Sequence, residues 1–180
     1  GSHLYHSAAS ADASTSDLLP GIASLAIENL PLIQGKTAVV RVTAQKPLKL
    51  TGRLIDHELH FFPAPGAQNE YVALQGVYAL AKTGLAPFSL TAVDENGRSV
   101  QFEQMVLVQI GGYVEDPPLY VDPETIDPSF TKPEDDQVKD LTTPATEPRQ
   151  WDGVFRVPVD EPVCIKSWYG NRRSYNGSDF

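Results

Sequence analysis

The sequence has little that would support a disulfide, a membrane span or a polyanion-binding surface. Its single cysteine, Cys164, excludes an internal disulfide and leaves the redox compartment open. No segment approaches the ~18 consecutive apolar residues that a membrane-spanning helix requires. Positive charge is scarce, because 14 Lys and Arg face 23 Asp and Glu, for a formal net charge of −9. We therefore expect neither a nucleic-acid partner nor a membrane span.

Motifs for catalysis are also missing. There is no Gly-x-Ser-x-Gly nucleophile elbow and no phosphate-binding glycine loop. His57-x-x-His60 suggests zinc, but residues i and i+3 of a strand face opposite sides, and a catalytic zinc needs three protein ligands. We favour ordinary strand histidines over an enzyme that uses His57 or His60. Cys164 is expected to be a small packing residue, so neither a catalytic nor a metal-binding residue is predicted.

What the sequence does contain, from Ile22 to Ile110, is an apolar period of two. Thr37–Ala44 and Leu48–Ile55 alternate as half-buried strands, and Asp94–Gly97 has the composition of a tight turn. The apolar rows expected to face inward are Phe88, Leu90 and Ala92, then Val100, Phe102, Val106, Val108 and Ile110. Short strands separated by turns, without a convincing amphipathic helix, predict an all-β fold of the Ig-like β-sandwich type.

Composition divides the chain into four parts. Residues 1–18 are predicted to be a tag remnant and a disordered spacer, and 19–112 the Ig-like β-sandwich. Residues 113–150 contain repeated X-Pro steps and acidic residues, which predict an extended linker. Within this linker, Leu119–Val121 could add a strand and Glu134–Leu141 two turns of helix. Residues 151–180 are strand-rich but too few to build a core of their own.

The last part has an ordered pattern of aromatic residues, glycines and a basic pair. It reads Trp151-Asp152-Gly153-x-Phe155-x-x-Pro158-Val159, then Ser167-x-Tyr169-Gly170-x-Arg172-Arg173-x-Tyr175-Asn176-Gly177. This pattern resembles the opening of the lysostaphin/LytM-type zinc metallopeptidases, which reads approximately W-x-G-x-F-x-x-P-V and then S-x-[FY]-G-x-R-R-x-Y-N-G. Upstream, Leu50-x-Gly52 and Tyr71–Val77 are similar to the Ig-like domains that precede such catalytic domains. Cys164 departs from the threonine or valine expected at its position.

The resemblance implies a parent enzyme of the bacterial cell envelope or exterior that hydrolyses peptidoglycan cross-links by zinc-activated water. In that family the zinc ligands come from a His-x-x-x-Asp motif and a later His-x-His motif, and the chain ends at Phe180 before the first. We therefore expect this chain to be a non-catalytic accessory region that positions the enzyme or shields its groove. It should hold no cofactor, with zinc bound in the complete parent.

The candidate binding residues are Tyr169, Arg172, Arg173, Tyr175 and Asn176. Planar arginine donors beside aromatic faces suit a carboxylate-bearing or sugar–peptide ligand. A solvated turn with two arginines is the alternative that composition leaves open. The expected partners are peptidoglycan or the missing catalytic domain, and exposed strand edges leave a strand-mediated dimer open. The alternative function is a free-standing Ig-like adhesion or carbohydrate-binding module with no associated enzyme.

Overall fold

The computed structural model describes residues 21–146, 148–159, 164–165 and 167–179. The predicted tag remnant and spacer at 1–18 lie outside this range. The fold is mostly β, with 41% of the described residues in strands or bridges and 12% in helix. The chain forms two compact units that alternate along the sequence. The first unit contains the described parts of 1–30, with 38–75 and 86–106, and the second contains 31–37, 76–85 and the described parts of 107–180.

Eleven strands and two helical segments are present in the described residues. They are β1 Ile22–Glu28, β2 Leu32–Ile33, β3 Thr37–Ala44, β4 Lys49–Leu54, β5 His57–Leu59, β6 Phe62–Pro63, β7 Glu70–Gly76, β8 Gly84–Val93, β9 Ser99–Gln109, a 3-10 helix Pro123–Ile126, α1 Pro128–Thr142, β10 Ser174–Tyr175 and β11 Ser178–Asp179. None of the described helices is both long and apolar enough to cross a membrane.

The first unit contains a four-stranded sheet in the order β1-β3-β7-β6. Strand β3 has the predicted bounds, and its predicted inner row of Ala38, Val40, Val42 and Ala44 is buried. β1 pairs with it in antiparallel register, with an irregularity near Ile22. Alternation therefore predicted this strand correctly, because one face of it is covered and the other is not.

Within the first unit, β4, β5 and the parts of β8 and β9 within 86–106 have the order β9-β8-β4-β5. The predicted inner row of β8 is buried, and the Phe88 ring packs edge-on against Phe102 with centroids 6.2 Å apart. Gly52 pairs with Leu90, and a Cβ at Gly52 would lie 2.8 Å from the carbonyl oxygen of Ser89. The close approach of β4 to β8 thus depends on a glycine at this position. The predicted Asp94–Gly97 turn is present, with Gly97 at φ 76°.

In the second unit, β2 pairs in parallel with the end of β9. The side chain of Gln34 connects three segments there: its Nε2 donates to Ala81 O at 2.6 Å, and its Oε1 accepts from Gly111 N at 3.1 Å. Ile110 was expected to face inward but is 75% exposed, because β9 ends at Gln109 and the inward alternation ends with it.

The helical prediction for 134–141 was too short. α1 begins at Pro128, because Asp127 caps it by accepting from Ser129 N at 2.8 Å, and it continues through Pro133. Leu119–Val121 forms no strand, although Leu119 makes an isolated parallel bridge to Tyr175. α1 has no buried residue.

Candidate functional site

The C-terminal hairpin, residues 167–179, lies along the receptor segment, residues 113–121, within the second unit. Glu115 and Leu119 form parallel bridges to Arg172 and Tyr175. Four main-chain hydrogen bonds join the two segments: Arg172 N to Val114 O at 3.0 Å, Asp116 N to Arg172 O at 2.7 Å, Leu119 N to Ser174 O at 3.0 Å, and Asn176 N to Leu119 O at 2.9 Å. The X-Pro steps of the receptor segment keep its backbone extended, which suits this pairing.

Asp116 is the side chain that binds the C-terminal hairpin most extensively. Its Oδ2 accepts from Arg173 Nη2 at 2.7 Å and from Ser167 Oγ at 3.2 Å. Its Oδ1 accepts from Asn171 Nδ2 at 3.0 Å. The side chains of Arg173 and Asp116 are only 29% and 17% exposed, so this ion pair is less screened by water than a surface pair.

The Asp116 carboxylate is stabilised in its ionised form by these donors. The hydrogen bond from Arg173 is the largest cause that lowers the pKa of Asp116 below its ordinary value, with smaller contributions from Ser167 and Asn171. The same hydrogen bond raises the pKa of Arg173. Both groups are therefore charged throughout the ordinary pH range.

Tyr113 anchors the other end of the receptor segment. Its hydroxyl donates to Gln34 O at 2.8 Å. Its ring and hydroxyl occupy the space beside Gly35, Gly111 and Gly170, where an added Cβ would overlap them. Gly170 also has φ +88°, a backbone conformation that side chains disfavour. The glycine of the Tyr169-Gly170 step is thus required both by its backbone and by its neighbour.

The Asn176-Gly177 step forms the turn between β10 and β11. Both residues have positive φ, 51° and 82°, as a two-residue hairpin turn with a right-handed twist requires. The side chain of Asn176 accepts from Val121 N at 2.9 Å and donates to Val121 O at 2.9 Å. Asn176 therefore forms part of the turn and also binds the turn to the receptor segment through hydrogen bonds.

The structure divides the five candidate residues into two groups. Arg173 and Asn176 bind the receptor segment, and Tyr175 is half-buried in the strand between them. Arg172 is exposed, and Tyr169 is 68% exposed beside Trp168, which is 66% exposed. Arg172, Trp168 and Tyr169 form what we call the exposed face. An exposed guanidinium can bind a carboxylate, and exposed aromatic rings can bind a flat polar ligand.

Sequence reasoning missed the residues on the receptor segment. Asp116 and Tyr113 were placed in a linker, because Asp-Pro-Pro and its acidic neighbours are typical of solvated connectors. Nothing local marks a contact across a separation of 57 residues. The only signal was an acid in an extended segment that could pair with the isolated Arg172-Arg173.

The other chemically notable residues do not form a site. His57 is exposed on β5 with its Nδ1 2.6 Å from Asp56 Oδ1, and His60 is exposed just beyond that strand. Cys164 is exposed and lies outside any strand, so the expected packing role is not found. No group of three or more His, Cys, Asp or Glu in the described ranges is placed to hold a metal ion. No catalytic step is assigned to the residues described.

Comparison with known proteins gives no independent assignment. No family model matches the chain, and no curated protein matches it.

Proposed function

We propose that this chain is the non-catalytic accessory region, with the opening segment of the catalytic domain, of a secreted bacterial zinc endopeptidase that cleaves peptidoglycan cross-links. The observation that supports the proposal is the folding of the motif 167–177 into one docked hairpin. Gly170, Arg173 and Asn176-Gly177 each have a separate structural role in it. The resemblance to the lysostaphin/LytM-type peptidases rests on these residues. A sequence that matched those peptidases only in composition would not require these residues in this order.

The first unit is proposed to be an Ig-like β-sandwich. Its antiparallel strand pairs, and the alternation of buried and open residues along β3 and β8, suit two sheets that share a core. Such a domain offers a stable scaffold without catalytic side chains, which suits a role in positioning the enzyme or shielding its groove. Location in the cell envelope or outside the cell is part of the same proposal.

In the complete protein, Arg172 is proposed to lie beside the substrate groove. Arg172 is exposed, whereas its neighbour Arg173 is engaged with Asp116. Adjacent residues of an extended chain face opposite sides, so docking through one arginine leaves the other free to meet a ligand. Cross-link peptides of peptidoglycan carry carboxylates that a guanidinium can bind in a bidentate manner.

The proposal is tested on the chain extended by its natural continuation beyond Phe180. We expect zinc-dependent release of soluble peptides from purified peptidoglycan, which a chelator abolishes and added zinc restores. Arg172→Ala in the extended protein should raise KM by about tenfold, because it removes a charge-assisted hydrogen bond. Lys82→Ala is the matched control, since Lys82 is an exposed cation outside the hairpin and its removal should leave KM unchanged.

Two results would contradict the proposal. One is a natural continuation without His-x-x-x-Asp within about a dozen residues of Phe180, because two of the expected zinc ligands would then be missing. The other is an extended protein that binds peptidoglycan but releases no peptide, which would favour a free-standing adhesion or carbohydrate-binding module instead.

A further inference from the structure

The described hydrogen bonds between the C-terminal hairpin and more distant parts of the chain connect it to the receptor segment. In the preceding described residues 148–159 and 164–165 there is no strand, and the apolar side chains Val154, Phe155 and Val157 are exposed. Much of the apolar surface in the described part of this connecting stretch is therefore exposed. The receptor segment is the part of the second unit to which the structure shows the hairpin hydrogen-bonded.

Within that interface, one side chain binds three separate parts of the hairpin. Asp116 accepts from Ser167 ahead of the turn, from Asn171 within it and from Arg173 after it. Asn171 also closes the turn, since its backbone N donates to Trp168 O at 3.2 Å. The shape of the turn that carries Trp168 and Tyr169 is thus coupled to a single carboxylate.

The same carboxylate binds Arg173, whereas the adjacent Arg172 is exposed. Arg173 is drawn against Asp116, and main-chain bonds on either side hold Arg172 to Val114 and Asp116. Since successive residues on an extended chain alternate in direction, fixing Arg173 inward fixes Arg172 outward. Breaking the Asp116–Arg173 pair would remove this distinction and let either guanidinium, or neither, occupy the exposed face.

We infer that Asp116 is a positioning residue, which orients the exposed face of Arg172, Trp168 and Tyr169 through its bonds to Ser167, Asn171 and Arg173. The receptor segment of the accessory region would then form one edge of the substrate groove of the peptidase. The functional part of this inference rests on the proposed function, whereas the docking part does not. The two parts can be tested separately.

The docking part is tested by hydrogen exchange on this chain. Asp116→Asn removes the charge at nearly constant shape, and we expect it to lower protection of the Arg172 and Asn176 amides by about tenfold or more. Amides of the first unit, such as those of Val40 and Leu90, should keep their protection, which shows that the variant is folded. Asp140→Asn, an exposed carboxylate on α1, is the matched control and should change neither set.

A charge exchange provides the second variant. Arg173→Asp alone should lower protection of the hairpin as Asp116→Asn does, and Asp116→Arg combined with Arg173→Asp should restore part of it. If neither single variant alters protection of the hairpin while the first unit stays protected, the inference is wrong at its first step. A partial rescue supports a direct pair, and a double variant as unprotected as Arg173→Asp alone contradicts one.

The positioning part is tested in the extended protein with purified peptidoglycan as substrate. If Asp116 acts through Arg172, Asp116→Asn should raise KM with kcat nearly unchanged, and the double variant Asp116→Asn/Arg172→Ala should be no worse than Arg172→Ala alone. Additive losses, or normal KM in Asp116→Asn, would overturn the positioning role. An extended protein without any activity contradicts the proposed function and with it the positioning role, while the exchange result still decides the docking.

Discussion

The ring of Tyr113 lies against Gly170, and a Cβ added at residue 170 would overlap this ring. The hydroxyl of the same tyrosine donates to Gln34 O at 2.8 Å, which holds the ring in place. A distant tyrosine and a glycine in the C-terminal hairpin therefore form one contact, and the tyrosine gives a reason for the glycine at residue 170. The contact also limits how far the hairpin can shift along the receptor segment.

Replacing Gly170 by alanine should undock the hairpin. The new Cβ would overlap the Tyr113 ring, and φ +88° is unfavourable for alanine, at a cost of about 1–3 kcal/mol for the backbone alone. The loss is limited by the docking free energy, because the hairpin can detach without unfolding the first unit. We expect amides 172–176 to lose exchange protection while the urea midpoint of the first unit stays unchanged.

Gly112→Ala separates the cost of the backbone conformation from the cost of overlap with the Tyr113 ring. Gly112 also has a positive φ, +68°, but a Cβ there would meet no atom within 4 Å. Its replacement should cost only the backbone term, about 1–2 kcal/mol. An equal loss of hairpin protection in both variants would show that overlap with Tyr113 contributes nothing.

Acid should release the hairpin only well below neutral pH. The folded pKa of Asp116 is lowered, chiefly by the hydrogen bond from Arg173, relative to its ordinary value of 3.8. A group with a lowered folded pKa contributes its full stability above the unfolded pKa and loses it as pH falls through the folded pKa. Amide chemical shifts of Arg172 and Asn176 should therefore be constant from neutral pH to about 5 and change below 3.8.

A pH titration of a variant tests whether Arg173 is the residue that lowers the pKa of Asp116. In Arg173→Gln the main lowering hydrogen bond is lost, so the carboxyl carbon of Asp116 should titrate closer to 3.8. Detachment of the hairpin between pH 7 and 5 in the unmodified chain would mean that a different group controls docking.

The sequence predicted those strands best in which burial alternates. β3 has the predicted bounds and inner row, and Phe88, Leu90 and Ala92 are buried in β8. Each case depends only on a local period that matches a pleated strand with one covered face. Ile110 continues the alternating row but is exposed. An alternating pattern does not indicate where the layer that covers the strand ends.

The candidate site was less predictable because its main contacts join distant residues. The Asn176-Gly177 turn is locally encoded, and so is the positive φ at Gly170. Whether Arg172 or Arg173 would be exposed depended on Asp116, which lies 57 residues from its partner. No local propensity encodes that separation, and the prolines beside Asp116 favoured the interpretation as a linker.

Truncating a core aromatic residue should destabilise the first unit strongly. Phe88 is 1% exposed and packs against Phe102, so Phe88→Ala should lower the free energy of unfolding by about 3–5 kcal/mol. Met105→Ala on β9 is the control, because Met105 is 55% exposed and its removal should cost less than about 1 kcal/mol. Urea unfolding monitored by far-ultraviolet circular dichroism measures both. Similar losses in the two variants would contradict a core centred on β8.

Pro133 lies inside α1 and should lower the stability of this helix. α1 has no buried residue, so its stability depends on its cap, on intrinsic propensity and on local side-chain pairs. Pro133 removes the hydrogen bond to the carbonyl of Ser129 and costs about 3 kcal/mol relative to alanine in a helix interior. We expect Pro133→Ala to increase the helical 13Cα shifts across Pro128–Thr142. Asp127→Ala should decrease them, because the cap to Ser129 N contributes about 1 kcal/mol. Unchanged shifts in Pro133→Ala together with a decrease in Asp127→Ala would mean that the helix is already fully formed and tolerates the proline without cost.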